Sequence, residues 1–326
     1  MELVPWLALL AGVSATATWL ALRYARRHDL VDQPGERRSH TVPTPRGGGI
    51  GIACALLAGC LVLLYLGTVP VAPVLCFAGG LLLVAGIGWI DDHRPLSPWL
   101  RLAVQCLAGA LLAWGLFGID GRWGCALLTV LLVPVLVNVW NFMDGIDGLA
   151  GSQAIIAAAA FACLVPTSSA GAWPLAAATA AFLPFNFPRA RIFLGDVGSG
   201  TLGYALAALG AWAAAGVGGP SAIVLLLPMS AFLVDAALTL ASRILGGENW
   251  WQPHTSHVYQ RWTRSGRSHV FVTSVYVAFS LVATMLAVLL AEIDPWFAVG
   301  GSVLWFVFAM AGWFRLRRRL GPGKGN

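Results

Sequence analysis

The sequence predicts an all-α polytopic membrane protein of about ten or eleven transmembrane helices, and three observations predict it. Hydrophobic residues make up 58% of the chain and charged residues only 10%, whereas soluble domains carry about a quarter charged residues. Apolar runs such as 72–90, 101–117 and 270–291 are each close to the roughly 20 residues that cross a bilayer. The segments between the runs alternate between nearly uncharged and strongly basic, which is the pattern of loops on opposite sides of a membrane.

The predicted spans run approximately 3–22, 49–67, 72–90, 99–117, 123–141, 149–165, 172–186, 200–216, 219–243, 269–290 and 295–314. The first could be mistaken for a signal peptide, because Ser14-Ala15-Thr16-Ala17 supplies small residues of the cleavage-site kind. Its leading segment carries Glu2 and no basic residue, so a retained helix is expected. The span at 172–186 is short and contains Pro174 and Pro184, so a tilted, broken or re-entrant segment is expected there.

All of the 20 lysines and arginines except Arg122 fall in one set of connections or in the tail. Positive loops stay in the cytoplasm, so the N-terminus is expected outside and the C-terminus inside. One transmembrane catalytic domain spanning 1–326 is expected, with cytoplasmic loops near 23–48, 91–98, 141–148, 186–199 and 244–268. The net charge of +6 is accounted for by this topology and calls for membrane lipids, not nucleic acid, as partners. Cys54, Cys60, Cys76, Cys106, Cys125 and Cys163 all lie in apolar stretches without a CxxC pair and read as packing residues.

The acids point to chemistry at one face. Asp29, Asp32, Glu36, Asp91, Asp92, Asp144, Asp147, Asp196 and Glu248 all fall on the basic side, and Asp235 lies within a predicted helix. Asp91 and Asp92 end the third span. Adjacent carboxylates repel, and a divalent cation or a basic partner relieves them; a solvated interfacial pair is the plain alternative.

Asn138, Asn141, Asp144 and Asp147 recur every three residues, with Gly145 and Gly148 making a broken turn where the fifth span ends. Polar groups at such a depth are costly unless used. Asn186 and the stretch Phe193-Leu194-Gly195-Asp196-Val197-Gly198-Ser199-Gly200 follow. There the glycines let a backbone approach a ligand closely, and the helix start behind them favours an anion; Asp196 could instead be an ordinary helix cap.

His254 and His257 share a face if helical. No HExxH motif or cysteine accompanies them, so phosphate contacts fit better than zinc. Arg46-Gly47-Gly48-Gly49 resembles a phosphate-cradling loop but lacks the P-loop signature, and close helix packing would also explain its glycines. Asp235 and Arg243 lie two turns apart on one helix face, so a buried ion pair or network is expected for Asp235.

Together these motifs resemble the polyprenyl-phosphate N-acetylhexosamine-1-phosphate transferases, the superfamily that includes the phospho-MurNAc-pentapeptide translocase. The resemblance is carried, in order, by Val31 to His40, Pro45-Arg46-Gly47-Gly48, Asp91-Asp92, the block 141–149, the block 193–199 and the loop 254–260. It covers roughly 30–262 and lies nearest the branch that starts O-antigen or similar cell-envelope polysaccharides.

The resemblance implies transfer of a sugar phosphate from a UDP-N-acetylhexosamine to polyprenyl (undecaprenyl) phosphate, with release of UMP, at the cytoplasmic face of a bacterial plasma membrane. It implies Mg²⁺, or Mn²⁺ on the same oxygen ligands, held by Asp196 with Asp92. Asp91 and Asp92 would lie near the acceptor phosphate. Asn141, Asp144, Asn186 and Phe193 would form the uridine side, joined as substrate contacts by Arg46 and Asp147, and His254 and His257 would meet the diphosphate. The translocase's lysine after its aspartate pair is replaced here by His93-Arg94-Pro95-Leu96, and its histidine cluster by His-x-x-His. Both differences favour a simple UDP-amino sugar. A homo-oligomer is compatible with the sequence. The competing class is a transporter of ions or a small solute, but transporters place charges near the bilayer midplane, where only Asp235 would sit.

Overall fold

The computed structural model describes residues 3–33, 42–67, 69–249 and 255–321. It is almost wholly helical. The helices are α1 (Leu3–Arg27), α2 (Ile50–Leu66), α3 (Val71–His93), α4 (Pro98–Ala113), α5 (Trp123–Phe142), α6 (Leu149–Leu164), α7 (Ser169–Asn186), α8 (Gly195–Val217), α9 (Ser230–Leu245), α10 (Val258–Arg264), α11 (His269–Ala291) and α12 (Pro295–Leu320). A π-helical turn, Trp114–Gly118, extends α4, and a 3₁₀ segment, Pro220–Met229, leads into α9. A two-stranded antiparallel ribbon pairs β1 (Val31–Asp32) with β2 (Thr44–Pro45).

Every predicted span coincides with helix. Among the described residues eight helical segments are long and apolar enough to cross a membrane; α2 and α6 are apolar but shorter, and α7 has 18 residues. The chain is therefore a multi-pass membrane protein. α7 corrects the expectation of a broken segment, since it is continuous through Pro174 and Pro184.

α8 is the hub. It packs mainly against α5 and α3, and 72% of its apolar window is buried, against 22% for α1 and α12. Its run of Gly, Ala and Ser allows that approach, because small side chains let membrane helices come close. Outward-facing Leu61, Leu82, Leu107, Leu131, Leu289, Phe297 and Phe308 stay exposed, as a lipid-facing surface requires. The six cysteines are unpaired.

The polar ends of the helices gather at one face. The C-terminal ends of α3, α5, α7 and α9 meet the N-terminal ends of α8 and α11 there, through hydrogen bonds described below. At the other end Arg122 donates to the Ala215 carbonyl at 2.9 Å, tying the start of α5 to the end of α8.

Candidate active site

The site is built on the junction of α3 and α8. Gly195 opens α8 with φ of +74°, a conformation that glycine tolerates freely. A side chain there would meet an Asp92 carboxylate oxygen at 2.5 Å. This turn lets Asp92 accept from the backbone N–H groups of Asp196 at 3.1 Å and Val197 at 3.2 Å. Asp92 is 2% exposed, and Arg46 donates to its carbonyl. A buried carboxylate on the first amides of a helix satisfies donors that have no partner within the helix. Its oxygens hold the start of α8, so Asp92 fixes the turn that carries Asp196.

Asp196 faces outward from that turn. Asn141, at the end of α5, donates to Asp196 Oδ1 at 2.8 Å and to Ser199 Oγ at 3.2 Å. Arg101, in the first turn of α4, places Nη1 3.0 Å from Asp196 Oδ2 and 2.9 Å from Asp91 Oδ2. Asp91 also accepts from the Leu96 N–H at 2.6 Å. Four helices thus converge on one constellation of Asp91, Arg101, Asn141 and Asp196. A polar file continues inward from it, where Asn138 donates to Gln105 at 2.7 Å.

The loop after α5 carries Asp144 and Asp147. Burial, and then the charges of Asp196, Asp92 and Asp147, push the Asp144 carboxyl well above the usual carboxylate range. A bound cation would relieve this local crowding of carboxylates. Among the described residues no three His, Cys, Asp or Glu side chains converge on one point. That donor set fits Mg²⁺, which takes one or two carboxylates and completes its shell with water and substrate phosphate oxygens. It does not fit a closed zinc centre.

Beside this constellation lies a cavity of about 700 Å³ lined by Arg26, Pro45, Asp147, Arg189, Phe193 and His269, among others. Its volume is in the range of small-molecule sites. Phe193 lies three residues before Asp196, so cavity and carboxylates share one segment. Asp147 accepts from the Ala190 N–H at 3.3 Å.

Asn186, the glycines and Asp235 hold the surroundings of the site together. Asn186 is 4% exposed and braces two loops, accepting from the Gly148 N–H at 2.9 Å and donating to the Ile192 carbonyl at 3.1 Å. Both halves of its amide are engaged, so it holds the two loops in register at the site. The glycines at 47–49 and 195–200 serve backbone against backbone: a side chain at Gly49 would meet the Gly198 Cα at 2.1 Å. Asp235 does not pair with Arg243, which instead meets Glu248 at 3.0 Å. Asp235 accepts from Tyr276 at 2.8 Å, Trp313 at 3.0 Å, Thr239 at 3.1 Å and the N–H groups of Val258 at 3.0 Å and Tyr259 at 3.4 Å.

His257, 2% exposed, lies 3.6 Å from Asp235 and beside the rings of Phe142 and Tyr259. Tyr259 donates to the Phe142 carbonyl at 2.9 Å, so the histidine loop abuts the end of α5. His254 lies outside the described residues. Arg101 and His269 carried no site role in the sequence reading. Arg101 was counted only as a basic residue of the loops, although a lone arginine opening an apolar helix was a usable signal.

The family model for glycosyl transferase family 4 matches residues 74–214. The chain is 31% identical to the decaprenyl-phosphate N-acetylglucosaminephosphotransferase of Mycobacterium leprae, over 84% of this chain and 80% of that protein. It is 27% identical to a probable undecaprenyl-phosphate N-acetylglucosaminyl 1-phosphate transferase of Bacillus subtilis, over 86% and 83%. It is 26% identical to the undecaprenyl-phosphate alpha-N-acetylglucosaminyl 1-phosphate transferase of Escherichia coli, over 82% and 78%.

Proposed function

The chain belongs to the polyprenyl-phosphate hexosamine-1-phosphate transferases of glycosyl transferase family 4, and on that premise we propose that it moves N-acetylhexosamine 1-phosphate from a UDP-sugar to polyprenyl phosphate at the cytoplasmic face of a bacterial plasma membrane. The product is a polyprenyl-pyrophosphoryl sugar, the first intermediate of a cell-envelope polysaccharide. The relatives act on decaprenyl as well as undecaprenyl phosphate, so the reading does not narrow to O-antigen. The chain from 1 to 326 acts in this reading as one transmembrane catalytic domain, with its cytoplasmic loops as the site.

The observation that carries the reading is the convergence of Asp91, Arg101, Asn141 and Asp196 from four helices at one end of the bundle, beside a cavity large enough for a nucleotide. In this mechanism an oxygen of the polyprenyl phosphate attacks the β-phosphorus of the UDP-sugar. The bond from that phosphorus to the bridging oxygen breaks, and UMP leaves with the electron pair. The acceptor is already anionic at neutral pH, so no residue has to deprotonate it and direct attack suffices.

Phosphoryl transfer depends on positioning and charge neutralisation. Arg101 supplies a planar donor to phosphate oxygens once substrate displaces Asp91 or Asp196 from it. Asp91 aims that guanidinium, and Asn141 fixes the rotamer of Asp196. Asp144, Asp147 and Phe193 serve the nucleotide side, while Arg46 and the loop at 254–257 border the diphosphate. Asp196 is the residue that would hold Mg²⁺, which when bound supplies Lewis-acid neutralisation of the diphosphate. Purified protein given polyprenyl phosphate and a panel of UDP-sugars tests the reading through UMP release, and no release with any UDP-N-acetylhexosamine refutes it.

The transporter reading loses its one midplane acid. Asp235 is saturated by donors from α9, α10, α11 and α12, which suits a structural anchor and not a group that must load and release cargo.

A further inference from the structure

The block at 141–148 is held from an unexpected direction. His269 and Thr273 lie one turn apart at the start of α11, and both reach Asp147. His269 Nδ1 is 3.3 Å from Asp147 Oδ2 and 3.4 Å from the Asp147 backbone nitrogen. Thr273 Oγ1 donates to the Asp147 carbonyl at 2.9 Å. One nitrogen cannot donate to the carboxylate and accept from the amide at once, so the tautomer selects between the two. In either state the ring fixes the same residue. The Ala190 N–H, on the opposite loop, completes the clamp on Oδ2.

The clamp opens onto the large cavity. Asp147 and His269 both line it, with side chains 13% and 20% exposed. Phe193 lines the same wall and makes it aromatic. An aromatic face and an oriented carboxylate together suit a planar heterocycle that presents an N–H at its edge. A base with a ring-nitrogen acceptor at that edge would set lone pair against lone pair. A carboxylate discriminates in this way only while its rotamer is held, because a free one swings aside to avoid the penalty.

We propose that His269 is a positioning residue for Asp147 and, through it, sets which nucleotide base the cavity accepts. This rests on the reading of the cavity as the nucleotide subsite.

The test uses purified full-length protein and two variants. His269→Ala removes the ring, and its partial exposure at a helix start makes the change tolerable to the fold. His269→Asn places an amide close to where Nδ1 lies and should rescue. In His269→Ala the KM for the UDP-sugar should rise about tenfold, the size of one hydrogen bond to a charged group. The KM for polyprenyl phosphate and kcat should stay within about twofold. The preference for UMP over CMP as inhibitor should shrink by the same factor as the donor KM rises. His269→Asn should recover most of both. Adding His269→Ala to Asp147→Asn should cost little more than Asp147→Asn alone, because the two act through one contact.

A folded His269→Ala protein with unchanged donor KM and unchanged UMP-to-CMP preference overturns the proposal. Wild-type protein that turns over no UDP-sugar would overturn the functional reading instead. UMP affinity measured by calorimetry then still decides on His269, and equal affinity in wild type and His269→Ala overturns its role.

Discussion

Arg101 reaches from the first turn of α4 to the start of α8 and holds Asp196, with Nη1 3.0 Å from Oδ2. The same nitrogen meets Asp91, so one guanidinium bridges the carboxylates of two helices. Such a bridge organises the site before substrate arrives and offers its charge to phosphate afterwards. Arg101→Ala should lower kcat by about 100-fold or more. Arg101→Lys keeps the charge but loses the planar fork, and should fall between the two. UMP release under saturating substrates measures both; a full-rate Arg101→Ala enzyme would remove the arginine from the mechanism.

Asp196→Asn keeps shape and the contact to Asn141 but removes the charge proposed to hold Mg²⁺. Turnover should fall by about 100- to 1,000-fold, while the protein elutes as a folded species in detergent. A chelator should inactivate the wild type, and added Mg²⁺ should restore it. Normal turnover by Asp196→Asn at low Mg²⁺ would refute the metal assignment.

Asp235 predicts a different signature. Its carboxylate accepts from five donors in the bundle interior. An asparagine would turn an NH₂ group toward some of them. Asp235→Asn should therefore destabilise by about 3–5 kcal/mol, as when a buried charged network loses its acceptor. The thermal transition in detergent should drop well below that of Asp196→Asn. A variant with unchanged stability would make the buried network energetically silent.

Gly49→Ala should be worse than its size suggests. The added carbon would stand 2.1 Å from the Gly198 Cα, and backbone cannot yield as a side chain can. A loss of about 3 kcal/mol is expected, seen as lower yield and a lower melting temperature. Gly86→Ala, where an added carbon meets nothing within 4 Å, is the control.

The orientation follows from the arginine distribution and is tested by labelling. In a background without native cysteines, a cysteine at position 255 should react only from the cytoplasmic side and one at 169 only from outside. Reversed labelling would turn the proposed site to the other face.

Spans, their number and the clustering of acids were legible in the sequence because hydropathy and charge act locally along the chain. Side-chain tasks were legible only in part. Asp196 and Asn141 meet each other, and Asp147 and Phe193 line one cavity, as the clustering of their motifs at one face leads one to expect. Asp92 and Asn186 are turned onto backbone groups, and the sequence holds no sign of which way a carboxylate or amide faces. Asp235 sits in the buried network that its place inside a helix led one to expect, but helical periodicity could suggest only partners on the same helix, whereas its donors come largely from α10, α11 and α12. His269 touches the site from a helix whose sequence carries no signature of it, and Arg101 from one that offers only its lone arginine.

Isotope exchange tests the central claim most directly. The bond broken and the bond made are both phosphoric anhydrides, so the equilibrium constant should lie near one and the reaction should run backwards. Purified protein supplied with polyprenyl-pyrophosphoryl N-acetylhexosamine, labelled UMP and Mg²⁺ should form labelled UDP-sugar, and a chelator should stop it. No label in the nucleotide sugar, with several hexosamines tried and the protein shown to be folded, would contradict the account.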